Sequence, residues 1–234
     1  MSGAEVIIGI LLALKCSTKT IMMPQDVPAT RQVEKSRFSP AVAIERFRGE
    51  IVRKSLHFLI ALVPLLAAFS LTGTLFLLGF GALFYTFAET SRRRGRPVFV
   101  VSDLTLIASR EGEKGRFVLG PITLGLGAML SLILYPEPAA SLAIFALAFG
   151  DGIASLAGKV LRGPTIPFTR GKTLSGTLAC FLVVFLVTLR VTARPVESLA
   201  IAGAAAFLEA IPAGNFDNLV VPFGVGLLAE RLLA

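Results

Sequence analysis

Asp151 stands inside an apolar run, Phe149-Gly150-Asp151-Gly152, and a basic, proline-broken loop follows. An aspartate near the middle of a bilayer helix costs about 2.5 to 3.5 kcal/mol on insertion scales, so such residues face a bundle interior, a water-filled cavity or an ion. Gly150, Ala154 and Gly158 recur at i, i+4 and i+8, and Asp151, Ser155 and Gly158 at i, i+4 and i+7. One helical side is therefore small enough for another backbone or a ligand to come close. Helix packing accounts for small residues at this spacing; a carboxylate between two glycines points to a site. Glu50, Arg53, Lys54 and His57 share another helical face. Arginine and lysine at a membrane boundary ordinarily anchor by snorkelling, and a lone histidine is ordinarily structural. Together the four suit a phosphate clamp of Arg53 and Lys54, oriented by Glu50, with His57 as a proton acceptor.

Similar spacing recurs in Tyr85, Glu89 and Arg92, where a surface ion pair is the alternative reading. Arg170, Lys172 and Thr173 immediately precede a helix, so its N–H groups and positive dipole end point where an anion would bind. Gly171-Lys172-Thr173 is not a P-loop, because the first glycine of that motif would fall at Ile166 and a membrane helix replaces the strand. Glu209 closes one apolar run, and Asp217 and Asn218 open the next, between the breakers Pro212 and Pro222. Asp151 and Asp217 facing several cations suit a magnesium nucleotide: carboxylates hold Mg²⁺ while lysine and arginine neutralise phosphates.

The elements that must position these groups are membrane helices. Hydrophobic residues make up 54% of the 234 and charged residues 16%, with mean hydropathy +0.78, far more apolar than a soluble core requires. The expected fold class is an all-α polytopic helical bundle without a separate soluble domain. Residues 1–54 read as an N-terminal segment with a short apolar helix, Val6 to Leu14, a basic surface region and the start of a helix leading into the membrane. Residues 55–234 read as a transmembrane catalytic domain. The opening run lacks a basic region before it and a small-residue cleavage site after it, which makes a poor signal peptide. Cys16 and Cys180 cannot build a disulfide framework.

Spans are expected at Ser55 to Ser70 and Thr72 to Ala88, joined as a hairpin, then at Phe117 to Tyr135, Ala139 to Leu161, Thr173 to Leu189, Val196 to Ile211 and Leu219 to Leu233. If Val98 to Ala108 lies in the interface or re-enters, residues 15–54, 90–116 and 159–172 all face the cytoplasm, with nine, seven and four basic residues. That seven-span arrangement brings every polar motif to one side. The net charge of +8 then reads as topology and lipid headgroups rather than nucleic acid.

The motifs resemble those of the membrane family of dolichol kinase, phytol kinase and the CTP-dependent diacylglycerol kinase, within a wider group that includes phosphatidate cytidylyltransferase. The matching pieces, in the family's order, are Glu50-x-x-Arg53-Lys54-x-x-His57, Tyr85-x-x-x-Glu89-x-x-Arg92, Gly150-Asp151-x-x-Ala154-x-x-x-Gly158, Lys172-Thr173-x-x-Gly176, and Glu209 followed by Asp217-Asn218-x-x-x-Pro222. Gly171 departs from the pattern by separating Arg170 from Lys172, where family members place two cations before the threonine. The resemblance implies transfer of the γ-phosphoryl of a nucleoside triphosphate, with CTP expected, to the hydroxyl of a membrane alcohol of dolichol, polyprenol or phytol type, or of diacylglycerol. It implies Asp151, Lys172, His57 and Asp217 as catalytic groups and Mg²⁺ on Asp151 and Asp217. Glu50, Arg53, Lys54, Glu89, Arg92, Gly150, Gly158, Arg170, Thr173, Gly176, Glu209 and Asn218 are the expected substrate-binding residues. The acceptor's chain would lie among residues such as Phe145, Phe149, Phe181 and Phe185, and its proton would pass to His57 or a carboxylate.

Phosphatidate cytidylyltransferase is the first alternative, sharing the Gly-Asp and Lys-Thr-x-x-Gly elements. Nothing after Gly176 carries its histidine-glycine-glycine segment. A small ion-coupled transporter using Asp103, Asp151, Glu209 and Asp217 is the second, and a noncatalytic lipid-binding scaffold the third.

Overall fold

A computed structural model describes residues 40–109, 113, 115–161, 163–169 and 171–234, and their side chains from 47 onward except that of Asn215. Val6 to Leu14 and Arg170 lie outside the described residues. The chain divides into two units, Met1–Ile44 and Glu45–Ala234, and the described site residues all belong to the second. The described structure is helical, its one bridge of extended chain being an isolated antiparallel pair, Thr165 and Thr173.

Helix α1, Pro40–Ile60, is followed after a break by α2, Val63–Phe69, and then by α3, Leu71–Arg93. Pro64 explains the break, since its ring clashes with the carbonyl four residues back, that of Ile60. Between α2 and α3 the expected hairpin turn is compressed into Ser70, extended in its backbone, whose side-chain hydroxyl caps α3 by accepting from the Gly73 N–H at 3.1 Å. Helix α4, Val101–Ala108, has eight residues, about 12 Å at the α-helical rise and too short for a hydrocarbon core of about 30 Å.

Helices α5, Gly120–Leu134, α6, Ala139–Phe145, and α7, Gly152–Leu161, come next, a π-helical turn at Ala146–Asp151 joining the last two. Helix α8, Leu174–Thr192, α9, Pro195–Ala210, and α10, Asp217–Leu233, complete the chain. Among the described residues four segments are long and apolar enough to cross a membrane: Phe47–Phe69, Leu71–Arg93, Ala139–Leu161 and Leu174–Thr192. Gly120–Leu134 is apolar but has only 15 residues; α9 and α10 have 16 and 17.

Ala139–Leu161 is the central element, with 61% of its apolar window buried against 22% or less for the other three. Leu142, Ile144 and Leu147 are almost fully enclosed, with α8, α10, α5 and α2 packed around them. Small residues set the spacing. A Cβ on Gly127 of α5 would meet the Asn218 carbonyl of α10 closer than any real contact, and one on Gly226 would strike the Tyr135 ring. At the α7–α8 crossing, a Cβ on Gly176 would stand 2.6 Å from the Ala154 carbonyl oxygen. Gly125, two residues from Gly127, has open space around it. Gly127→Ala is expected to lower stability by about 1–3 kcal/mol through overpacking, while Gly125→Ala is neutral or slightly stabilising. Thermal unfolding of the two variants in the same detergent checks the difference.

Candidate active site

The π-helical turn ends on Asp151, at the point where the central helix resumes α-helical pitch; turns of this kind recur at functional sites. The carboxylate meets α1. Lys54 Nζ donates to Asp151 Oδ2 at 2.5 Å, and His57 Nδ1 lies 3.2 Å from the same oxygen, at ion-pair distance but without hydrogen-bond alignment. Lys54 and His57 are both buried. A buried lysine and a buried carboxylate are tolerable only together, because either alone would be an uncompensated charge in a medium that solvates it poorly.

One helical turn earlier, Glu50 makes a second tie between the same helices. Its carboxylate accepts from Arg53 Nη2 and from Lys159 Nζ, each at 2.5 Å, and from the Ser155 hydroxyl. Glu50 is buried whereas Lys159 is largely exposed, so the carboxylate draws two cations and a hydroxyl toward one spot. Arg53 Nε is buried there without a hydrogen-bond partner.

The loop from 163 to 173 folds back on itself. The Ile166 N–H donates to the Lys172 carbonyl at 2.8 Å, and the Leu174 N–H to the Pro164 carbonyl at 2.9 Å. Gly171 turns the loop at φ +92°, a conformation that side-chain-bearing residues rarely adopt. The glycine that separates Arg170 from Lys172 in the sequence is therefore what the turn requires. Thr173 caps α8, its hydroxyl accepting from the Gly176 N–H at 3.2 Å. Two of the N–H groups expected to face an anion are thus already engaged within the protein. What this helix end still offers an anion is Lys172 and the positive dipole end. Lys172 Nζ sits 3.1 Å from Glu209 Oε1.

These groups surround a polar chamber of about 430 Å³, lined by Arg53, Lys54, Asp151, Lys172, Glu209 and Asp217 among others. Ser155, Gly158, Lys159, Thr173 and Gly176 also reach it. Behind Asp151 lies a second, mainly apolar cavity of about 200 Å³. Arg53, Lys54, Asp151, Gly214 and Asp217 line both spaces and form the wall between them. His57 and Asn218 border only the apolar side of that wall.

Some residues expected at the site stand elsewhere. Glu89 is 1% exposed and grips Arg92 through two hydrogen bonds of 2.7 Å, so the pair is neither a surface ion pair nor part of a cavity wall. Glu89 Oε1 also accepts from the Val118 N–H at 3.1 Å, and the Tyr85 hydroxyl donates to the Val118 carbonyl at 3.1 Å. The face formed by Tyr85, Glu89 and Arg92 clamps the backbone that leads into α5. Gly150 packs against Cys180 and Val184 of α8, where an added Cβ would lie 3.1 Å from the cysteine sulfur. Asn218 ties α10 to α5 by donating to the Gly120 carbonyl and the Thr123 hydroxyl. The phenylalanines expected to line the acceptor site stack in pairs, Phe145 on Phe149 and Phe181 on Phe185, and border neither space.

Lys159 is a chamber residue that the motifs did not mark. Its signal was present, since Lys159 follows Ser155 by one turn on the helix that carries Asp151.

Among the described residues no group of three or more histidine, cysteine, aspartate or glutamate side chains is set to hold a metal ion. Asp151 and Asp217 on one chamber fit an ion that arrives with its ligand, because Mg²⁺ characteristically takes one or two protein carboxylates together with phosphate oxygens and water. Comparison of the chain with protein-family models, curated proteins and solved structures finds no match.

Removing the Glu89 carboxylate would leave Arg92 and the Val118 N–H without their acceptor. Glu89→Ala is expected to cost about 3 kcal/mol of stability, and Glu89→Gln less, because the amide oxygen still accepts from Val118. Chemical unfolding of both variants beside the parent protein checks the order.

Proposed function

We propose that this protein is a multi-pass membrane lipid-alcohol kinase, transferring the γ-phosphoryl of a nucleoside triphosphate, with CTP as the expected donor, to the hydroxyl of a membrane alcohol. The observation that carries this reading is the wall shared by the two spaces. A cation-lined polar chamber suits a triphosphate and an apolar cavity suits a hydrocarbon chain, and Arg53, Lys54, Asp151 and Asp217 stand where the two would meet. The motif resemblance supports the same reaction, as does the gathering of Arg53, Lys54, Lys172, Thr173 and Glu209 around the chamber, with Glu50 paired to Arg53. The seven-span arrangement with the chamber facing the cytoplasm belongs to this proposal, resting on the basic loops.

In this mechanism Asp151 and Asp217 would hold Mg²⁺, which would supply neutralisation of the phosphate charge. Arg53, Lys159 and Lys172 hold the triphosphate and stabilise charge on the transferring group. Arg53 is pre-oriented by Glu50. The acceptor hydroxyl reaches the wall from the apolar side. Its oxygen bonds to the γ-phosphorus as the bond to the bridging oxygen breaks, the nucleoside diphosphate leaves, and the hydroxyl proton passes to the Asp151–His57 pair. Catalysis of this kind is largely positioning and electrostatics.

The cytidylyltransferase alternative uses the same triphosphate but moves the nucleotidyl group, so the label that appears in lipid separates the two. For the transporter alternative, Asp103 would have to join the ion path, yet it borders neither space.

Purified protein incubated with Mg²⁺, a panel of lipid alcohols, phosphatidate, and CTP labelled in its γ-phosphate or in its base is expected to place γ-label in a lipid phosphate. Base label in lipid would identify the cytidylyltransferase, and no transfer with CTP or ATP would overturn the enzymatic reading. Asp151→Asn is expected to lower turnover by at least about 10³-fold while the protein stays folded in the membrane; an active variant would remove Asp151 from the metal site.

A further inference from the structure

Helix α4 has the reverse of the polarity that suits a helix in water. Ser102 and Thr105 are buried, whereas Leu104 and Leu106 are exposed at 44% and 51%. The buried hydroxyls are satisfied, since Ser102 accepts from the Val98 N–H at 2.9 Å and Thr105 donates to the Val101 carbonyl at 2.7 Å. Close backbone contact seats the helix on α1, because a Cβ on Gly49 would overlap the Ile107 carbonyl oxygen. Leu104 also borders the apolar cavity, but Leu106 does not. Hydroxyls packed inward and leucines left outward fit a surrounding medium that is itself apolar.

The turn before α4 adds to this face. Val100 stands at φ +66° and ψ −55°, and across it the Val101 N–H donates to the Phe99 carbonyl at 2.8 Å. That is a γ-turn of the rare, strained sense, and a β-branched residue at its centre is a conformational outlier. Ser102 holds the strain, its N–H and its hydroxyl both bonding the Val98 backbone. The turn leaves Phe99 89% exposed and Val100 53% exposed. Cations come from the end of α3. Gly95 reverses the chain at φ +77°, with the Arg96 N–H donating to the Ser91 carbonyl and the Gly95 N–H to the Arg92 carbonyl, each at 3.0 Å. This is a Schellman cap, which engages the last carbonyls within the chain. Arg92 is held by Glu89, while Arg93, Arg94 and Arg96 are exposed and form no salt bridge among the described residues.

We infer that the cap of α3, the γ-turn and the outer face of α4 form a docking surface for anionic phospholipid. Phe99, Val100 and Leu106 enter the acyl boundary, and Arg93, Arg94 and Arg96 bind the headgroup phosphates. Two features favour lipid over a protein partner or free phosphate. The surface begins where a helix of membrane length ends, and α4, with eight residues, is too short to leave that boundary by crossing. Its apolar and cationic parts also adjoin, as they do in interfacial helices that bind an anionic leaflet. Asp103, the one carboxylate on α4, does not cancel three arginines. This surface involves neither nucleotide nor phosphoryl transfer and is independent of the kinase reading.

The chain contains no tryptophan, so a single introduced one reports its own surroundings. Phe99→Trp, and Phe80→Trp on the exposed flank of α3 as a mid-membrane reference, are reconstituted as full chains in vesicles. The vesicles hold phosphatidylcholine alone or an equal mixture with phosphatidylglycerol, with bromine at shallow or at deep acyl positions. Fluorescence of Phe99→Trp is expected to be quenched more by shallow bromine, and that of Phe80→Trp more by deep bromine. In competition between brominated phosphatidylglycerol and brominated phosphatidylcholine, Phe99→Trp is expected to report a preference for the anionic lipid and Phe80→Trp none. Adding Arg94→Gln or Arg96→Gln to Phe99→Trp is expected to lower that preference by about fivefold, the effect of one cation near an anionic leaflet. Phe99→Trp fluorescence that neither bromine position quenches, equal affinity for the two lipids, or a preference unchanged in both glutamine variants would each overturn the inference. If Phe99→Trp alone escapes quenching, the docking surface fails and the α3 span stands; if Phe80→Trp escapes as well, both fail.

Discussion

The ion pair between Asp151 and Lys54 is the constraint on which the site is built. Neither charge is tolerable alone in an apolar helix bundle, so the pairing fixes how α1 lies against the central helix. Glu50 repeats the tie one turn away through Ser155 and Lys159. Two polar cross-links on consecutive turns set both the separation and the rotation of the helices, and the cations that they hold then face a common space. The π-helical turn ends on Asp151, and His57 of α1 stands beside the same carboxylate oxygen that Lys54 holds.

Glycines determine how closely the remaining walls approach. Gly158 and Gly176 let α7 and α8 cross with the Thr173 hydroxyl between them, which brings the 163–173 loop and Lys172 over the chamber. Glu209 pairs with Lys172 from α9, so α1, the central helix, the 163–173 loop, α9 and α10 all contribute charge to one space. The apolar cavity forms on the other side of Asp151, where α4 closes the gap between α1, α3 and α5. A polar space and an apolar one that share Arg53, Lys54, Asp151 and Asp217 in their dividing wall suit the proposed reaction between a water-soluble anion and a lipid.

Much of this was legible in residue spacing. The helical periodicity placed Glu50, Arg53, Lys54 and His57 on one side of a helix and Asp151 with Ser155 on one side of another, because both periods are local properties of an α-helix. Helix positions followed from apolar runs, with boundaries moved by a few residues where capping decided them, as Ser70 and Thr173 do. The Tyr85, Glu89 and Arg92 pattern was visible too, but its partner was not. That partner is the backbone of Val118, and a backbone amide leaves no mark in a sequence. Likewise the phenylalanines looked suited to a chain-binding site, yet they stack on one another, because hydrophobicity is non-directional and does not say which apolar surface stays open.

By itself the sequence determined an apolar helical chain, the helices that carry the charged groups, and the face of each helix on which those groups lie. These depend on composition and on contacts within a few residues. Only the tertiary structure decided which face meets which. It paired Lys54 with Asp151 across 97 residues, turned Glu89 inward to the α5 backbone, engaged the first N–H groups of α8 within the protein, and opened the apolar cavity beneath α4. The physical reason is that burial makes every charge and backbone polar group seek a partner, and the choice among distant partners is settled by packing geometry rather than by local spacing.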